Sequence, residues 1–143
     1  MLIPRVAAFL LLLSALSACG GDSRLPTAPT LSLSGRWQGT IESPADGPGT
    51  VTLQLTQTGL DVAGTLRISQ MGISDVPGTL TGRLATASSP TTMQYTVTYE
   101  YGERCQGTFT GAFNVTSREI AGPYTGQNCV HEFVGAFHAT KSD

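Results

Sequence analysis

The chain has 143 residues, with eight Lys and Arg against ten Asp and Glu, a formal charge of −2 and 17 glycines. That length suits one domain once the leader is set aside. The charges are scattered and form no basic stripe, which excludes a surface that tracks phosphates and with it nucleic acid as a partner.

The opening stretch, MLIPRVAAFLLLLSALSACG, sets one basic residue, Arg5, before an apolar run from Val6 to Leu13 and then small residues ending at Cys19. This is the layout of a secretory signal, and the run is too short to span a membrane comfortably. Leu16-Ser17-Ala18-Cys19 resembles the lipobox of bacterial lipoproteins. The resemblance implies that residues 1–18 are a signal peptide, that the Cys19 thiol carries a diacylglyceryl group, and that the exported protein is anchored by lipid to a bacterial envelope membrane. Gly20, where Asp would direct otherwise, resembles the outer-membrane sorting pattern and implies a position facing the periplasm. At about 0.8 kcal/mol per buried methylene, two or three acyl chains would anchor durably where one would not. The alternative is an ordinary secretory signal cut near Ala18.

Residues 20–30, GGDSRLPTAPT, show no apolar period, and 19–30 read as a flexible tether starting at Cys19. From Leu31 to the end, Thr, Val, Leu, Tyr and Phe alternate with polar residues, turn signals recur, and no window shows a helical period. Eight strands are predicted, over 33–42, 50–57, 61–68, 76–84, 91–100, 104–115, 118–126 and 130–140. Alternation puts Leu33, Gly35, Trp37, Gly39 and Ile41 on the inner face of the first strand. The same phase selects Val51, Leu53 and Leu55 on the second, and Phe109, Gly111 and Phe113 on the sixth. Eight sequential antiparallel strands with one apolar face close best into an up-and-down β-barrel, which leaves no free edge. A two-sheet sandwich is the alternative. Pro77 and Pro123 fall inside predicted strands, which favours the sandwich slightly because proline prefers edges and bulges. Ten inward positions are glycine, and in a narrow barrel they permit bending and make room for large neighbours such as Phe109, Phe113, Tyr124, Phe133 and Phe137.

Leu33, Gly35 and Trp37 form an apolar-x-G-x-W pattern that resembles the first-strand motif of the calycin barrels, lipocalins and avidins. The resemblance implies that Trp37 lies across a closed end with a basic side chain, here Lys141, packed over it. The chain is shorter than a typical lipocalin and lacks an avidin-like set of biotin-binding residues, so no ligand class carries over.

Nothing in the sequence resembles an enzyme: no G-x-S-x-G elbow, phosphate loop or dinucleotide fingerprint is present. No cofactor is expected. No metal site is expected either, because His131 and His138 are seven apart on one predicted strand and point to opposite faces. Asp61, Glu100 and Glu132 fall on outward positions.

In an up-and-down barrel the connections 43–49, 69–75, 101–103 and 127–129 share one rim, and the termini share the other. Trp37, Phe113 and Phe137 then belong to an apolar floor at the terminal side. Tyr99, Tyr124, His131 and Phe133 gather near the loop-side rim, with polar tips on apolar bodies that suit a ligand mouth. Alternatively the tyrosines only fill the core, with hydroxyls reaching solvent. Cys105 and Cys129 also fall at this rim, where an exported protein would join them in a disulfide; two buried thiols are the alternative. Because Cys129 is out of phase with the inner face of its strand, it must lie past the strand end or beyond a bulge.

Three functions fit these features. The first is a lipid-anchored envelope module that binds a small apolar or amphipathic ligand at the mouth. The second is a protein-binding barrel, such as a lysozyme or protease inhibitor, using loops 43–49 and 69–75 with Met71 and Ile73. The third is a structural envelope lipoprotein without a specific ligand.

Overall fold

Strict alternation over stretches rich in threonine and β-branched residues yields eight antiparallel strands in a computed structural model that describes residues 30–70, 72–102 and 105–142. They are β1 (Gly35–Ser43), β2 (Gly47–Thr58), β3 (Asp61–Gln70), β4 (Ile73–Leu84), β5 (Thr91–Tyr101), β6 (Cys105–Val115), β7 (Glu119–Gln127) and β8 (Glu132–Lys141). Each pairs with its sequence neighbours and β1 pairs with β8, so the sheet is a closed barrel and not a sandwich. The signal, the Cys19 lipidation site, all of the predicted tether but Thr30, and Met71 lie outside the described residues.

The two prolines fit the closed wall because each sits where a ladder is already interrupted. Pro77 pairs with Arg67 of β3 but precedes the first β4–β5 pair, Gly78 with Tyr99. Pro123 lies in a gap of the β6–β7 ladder between the pairs Gly111–Tyr124 and Asn114–Ala121. In neither place is an amide donor needed.

One face of every strand supplies the core, which includes Leu31, Leu33, Trp37, Leu55, Val62, Leu84, Met93, Phe113, Ile120 and Phe137. Large side chains meet glycines directly across the ladder. Tyr99 faces both Gly78 and Gly107, Tyr95 faces Gly82 and Gly111, Tyr124 faces Gly135, and Phe133 faces Gly126. A methyl group at Gly107 or Gly135 would overlap the phenol ring lying over it, and one at Gly111 would press on Tyr95 and the Pro123 carbonyl. Gly39 has a different duty, since a side chain there would strike the backbone of His138 and Ala139.

The terminal-side end is closed by a segment whose last two residues, Leu33 and Ser34, the sequence assigns to the first strand. β1 starts at Gly35, and residues 31–34 instead pass beneath the barrel. Thr30 bridges Ser88, Leu31 N–H donates to the Ala87 carbonyl at 2.9 Å, and Leu31 and Leu33 are buried. Gln57 clamps this segment, accepting from Leu33 N–H at 2.8 Å and donating to the Leu31 carbonyl at 3.1 Å. Trp37 is fully buried above it and donates its indole N–H to the Leu33 carbonyl at 2.8 Å. Lys141, the β8 partner of Trp37, holds its Nζ 5.8 Å from the indole centroid and donates to the Ser32 carbonyl at 3.1 Å.

The loop-side connections are tighter than expected. Ser43 already pairs with Gly47, so residues 44–46 turn the chain, and Gly47 adopts φ 69°, a left-handed conformation that glycine takes without steric cost. β3 and β4 extend to Gln70 and Ile73, with a register shift between Ile68 and Gln70 and Asp75 at φ 65°. The described residues of 43–49 and 69–75 are therefore mostly strand, so the connections anticipated as a protein-binding surface are shorter than expected. Polar turn residues masked the strand ends from an alternation criterion.

Two consequences follow for stability. Gly107→Ala should destabilise the barrel by about 1 to 3 kcal/mol through overpacking. Adding Tyr99→Ala should relieve part of that loss, giving a coupling energy of about 1 kcal/mol in a denaturant double-mutant cycle; strict additivity would contradict the pairing. Trp37→Ala should cost about 3 to 5 kcal/mol in the same assay.

Candidate functional site

Above the plugged end the inward side chains form a ladder of rings. Phe113 stacks on Tyr95 with centroids 3.7 Å apart and on Phe137 at 4.6 Å. Tyr95 meets Phe109 edge-on at 6.2 Å, and Phe109 lies 5.0 Å from Tyr124 and 6.0 Å from Tyr99. Tyr124 contacts Phe133 at 6.0 Å, and Phe133 contacts His131 at 6.1 Å. The stack therefore rises from mid-barrel to the loop-side rim.

The upper rings border a cavity of about 410 Å³. Ile41, Ile68, Ile73 and Val76 form its aliphatic wall, Phe109 and Phe133 its aromatic wall, and Asp46, Gln70, Tyr99, Tyr124, Asn128 and His131 bring polar atoms to it. The volume falls in the range of small-ligand sites, and mostly apolar walls with a few convergent polar groups are their usual composition. A larger depression of about 740 Å³ lies outside the wall, between Ser43–Ala45 and the outward threonines Thr108, Thr110 and Thr125. Its lining is chiefly outward-facing surface without the ring enclosure, so the inner cavity is the better site. Phe133 borders both. The wall is thinnest there, because β1–β8 pairing ends at Glu42 with Ala136 and leaves Glu132–Gly135 without a β1 partner.

Backbone carbonyls occupy two of the phenols. Tyr124 donates to the Glu42 carbonyl at 3.1 Å, passing over Gly135, and Tyr95 donates to the Pro123 carbonyl at 3.4 Å, passing over Gly111. Burial raises the Tyr124 phenol to about 12, with Asp46, Tyr99 and Glu42 adding to the rise. Burial likewise raises Tyr99; a side-chain hydrogen bond with Asn128 opposes the rise and Asp46 augments it. Tyr95 is raised further still, by burial and then by Tyr124.

The four residues read from the sequence as a ligand mouth, Tyr99, Tyr124, His131 and Phe133, all line this one cavity. Tyr124 is buried, Tyr99 and Phe133 are half-buried, and His131 is exposed in the turn just before β8. Trp37, Phe113 and Phe137 are buried, with Trp37 at the closed end and Phe137 higher, paired with Ile41. Cys105 and Cys129 form a disulfide with Cα atoms 5.6 Å apart. Cys129 lies two residues beyond the end of β7, which resolves its phase. Closing a loop of 24 residues stabilises by about 3 to 4 kcal/mol in the chain-entropy model. Asp46, Asn128 and Phe109 were missed. Asp46 and Asn128 sit in turns, where period gives no direction, and Phe109 was read only as core.

Asn128 organises the rim locally, its Oδ1 accepting from Val130 N–H at 2.8 Å and His131 N–H at 3.0 Å. Ser43 Oγ does the same across the mouth, accepting from Ala45 N–H at 3.2 Å and Asp46 N–H at 3.3 Å. Both are short side-chain turns of the kind Ser and Asn favour. No cluster of metal-ligating side chains occurs among the described residues.

No protein-family model matches the chain, and no curated protein matches it. Among solved structures, that of EF1p2_mFAP2b bound to DFHBI is similar, with a TM-score of 0.55 and 10% identity over 78% of this chain and 94% of that chain. At that identity the likeness is one of fold.

Raised phenol values have a definite stability sign. The folded barrel keeps protons that the unfolded chain releases above the ordinary value of 10.0, so this contribution is complete below pH 10.0 and is lost as pH rises through about 12. Denaturant midpoints should hold up to pH 10.0 and fall steeply above it, with Tyr124→Phe showing a shallower fall.

Proposed function

We propose that this barrel binds a small apolar or amphipathic ligand, and that the protein acts as a binding module and not as an enzyme. The observation that carries the reading is the ring-lined cavity of about 410 Å³ at the loop-side rim. The similar barrel EF1p2_mFAP2b is bound to DFHBI, which agrees with a ligand-holding role for this fold and leaves the ligand's identity open. The lipobox-like Leu16–Cys19 supports export and lipid anchoring to a bacterial envelope membrane, and Gly20 supports the outer membrane, facing the periplasm. A tether over residues 19–30 would hold the cavity clear of the lipid surface.

A second reading, a protein-binding barrel such as an inhibitor of lysozyme or proteases, is favoured by apolar side chains standing in solvent near the same rim. Val130 is 80% exposed, Val134 56% and Tyr101 41%. Such patches mark contact surfaces when they are contiguous.

The neutral dye N-phenylnaphthylamine should bind saturably at one site with a rise in fluorescence. Val76→Trp, which fills the cavity from β4, should weaken binding about tenfold or more, a loss of about 1.4 kcal/mol, with little change in thermal midpoint. Equal binding to the variant, or none to the unaltered protein, would overturn the reading. Radiolabelled palmitate incorporation that disappears in Cys19→Ser would separately establish the anchor.

A further inference from the structure

The polar inventory of the cavity is unequal. Tyr124 has committed its proton to the Glu42 carbonyl, so its oxygen offers a ligand only lone pairs. Gln70 gives one of its two amide N–H groups to the Gly47 carbonyl, and the Asn128 side-chain oxygen is taken by the Val130 and His131 amides, so these two side chains offer neutral N–H donors beside the free Gln70 oxygen. Asp46 adds a carboxylate, and among the described residues no Lys or Arg pairs with it. Among the described residues its side-chain hydrogen-bond partner is Ser43 Oγ, at a long 3.4 Å. No Lys or Arg is among the lining residues, and His131 is the one base. Around these acceptors stand the rings of Tyr99, Tyr101, Phe109, Tyr124 and Phe133, and aromatic rings attract cations through their quadrupoles.

We infer that the ligand of this cavity is an amphipathic organic cation, an ammonium or quaternary ammonium group on an apolar body, with the head beside Asp46 among the rim rings and the body against Ile41, Ile68 and Phe109. This inference rests on the ligand-binding reading above and narrows it to one chemical class. An anionic head would face the Asp46 carboxylate and the aromatic rings with only neutral donors, the amides of Gln70 and Asn128 and the Tyr99 hydroxyl, and no Lys or Arg to offset the repulsion. A neutral head would leave the carboxylate without a counter-charge in a half-enclosed site. Asp46 belongs to a turn that Ser43 already organises through backbone amides, so its charge is not needed to make the turn.

Three probes with the same chain separate the possibilities: decyltrimethylammonium, decanol and decyl sulfate, each below its aggregation limit and measured by displacement of N-phenylnaphthylamine. The cation should bind about tenfold more tightly than decanol and more tightly still than the sulfate. Asp46→Asn should remove most of that preference while leaving decanol and the dye unchanged, which also shows that the variant is folded. Tyr99→Leu should reduce the preference several-fold by removing one ring face. Asp61→Asn, on an exposed outer position, should leave it intact and thereby exclude a mere net-charge effect. Equal binding of all three probes, or an unchanged preference in Asp46→Asn, would overturn the cation assignment and leave the binding module standing. Failure of every probe, the dye included, would overturn both.

Discussion

A ring laid across a glycine in the adjacent strand is the contact on which this barrel depends. Its strands have only nine to twelve residues, and the interior they enclose must accept four tyrosine and phenylalanine rings above mid-barrel alone. Facing pairs of large side chains would not fit, and facing pairs of small ones would leave voids. Tyr99 over Gly107, Tyr124 over Gly135 and Phe133 over Gly126 resolve this by letting each ring lie flat against the wall. A glycine in a strand costs roughly 0.5 to 1 kcal/mol against alanine. The ring that covers it offsets that loss by shielding the neighbouring backbone and burying its own surface.

Flattened rings also explain why the two ends of the barrel differ. At the terminal end, Leu31, Leu33 and Trp37 fill the space completely, and Lys141 and Gln57 tie the crossing segment to the wall. At the loop end the rings border a cavity. The Cys105–Cys129 bridge then joins the start of β6 to the turn after β7 at the rim where β8 parts from β1. The bridge lies beside a stretch of wall without ladder pairs, which is where a binding cavity needs its geometry preserved.

Much of this was legible in the sequence because alternation is a direct record of facing. The inner phases of all eight strands, the side of the barrel on which Trp37 lies, and the clustering of Tyr99, Tyr124, His131 and Phe133 at one rim follow from period and topology alone. What escaped had no periodic signature. Leu31 looks like any apolar residue before a strand, yet it belongs to a segment whose position depends on Gln57, 26 residues away. Asp46 lies in a turn, and its facing is set by Gly47 and by Ser43 Oγ. Pro77 and Pro123 looked like evidence against closure because ladder gaps cannot be read from one strand.

Pairing each ring with a glycine on another strand makes the two positions a single heritable unit. The wall needs one large and one small residue at each rung; at Gly107 the atoms opposing a side chain belong to the Tyr99 ring, whereas at Gly135 the Glu42 carbonyl opposes one as well. Among diverging relatives, substitutions at Tyr99 and Gly107 would therefore be expected to occur together, including exchanges that move the ring to the opposite strand, while the ring of the Tyr124–Gly135 rung should stay on its own strand. The apparent freedom of either position, taken singly, would conceal a tight joint constraint.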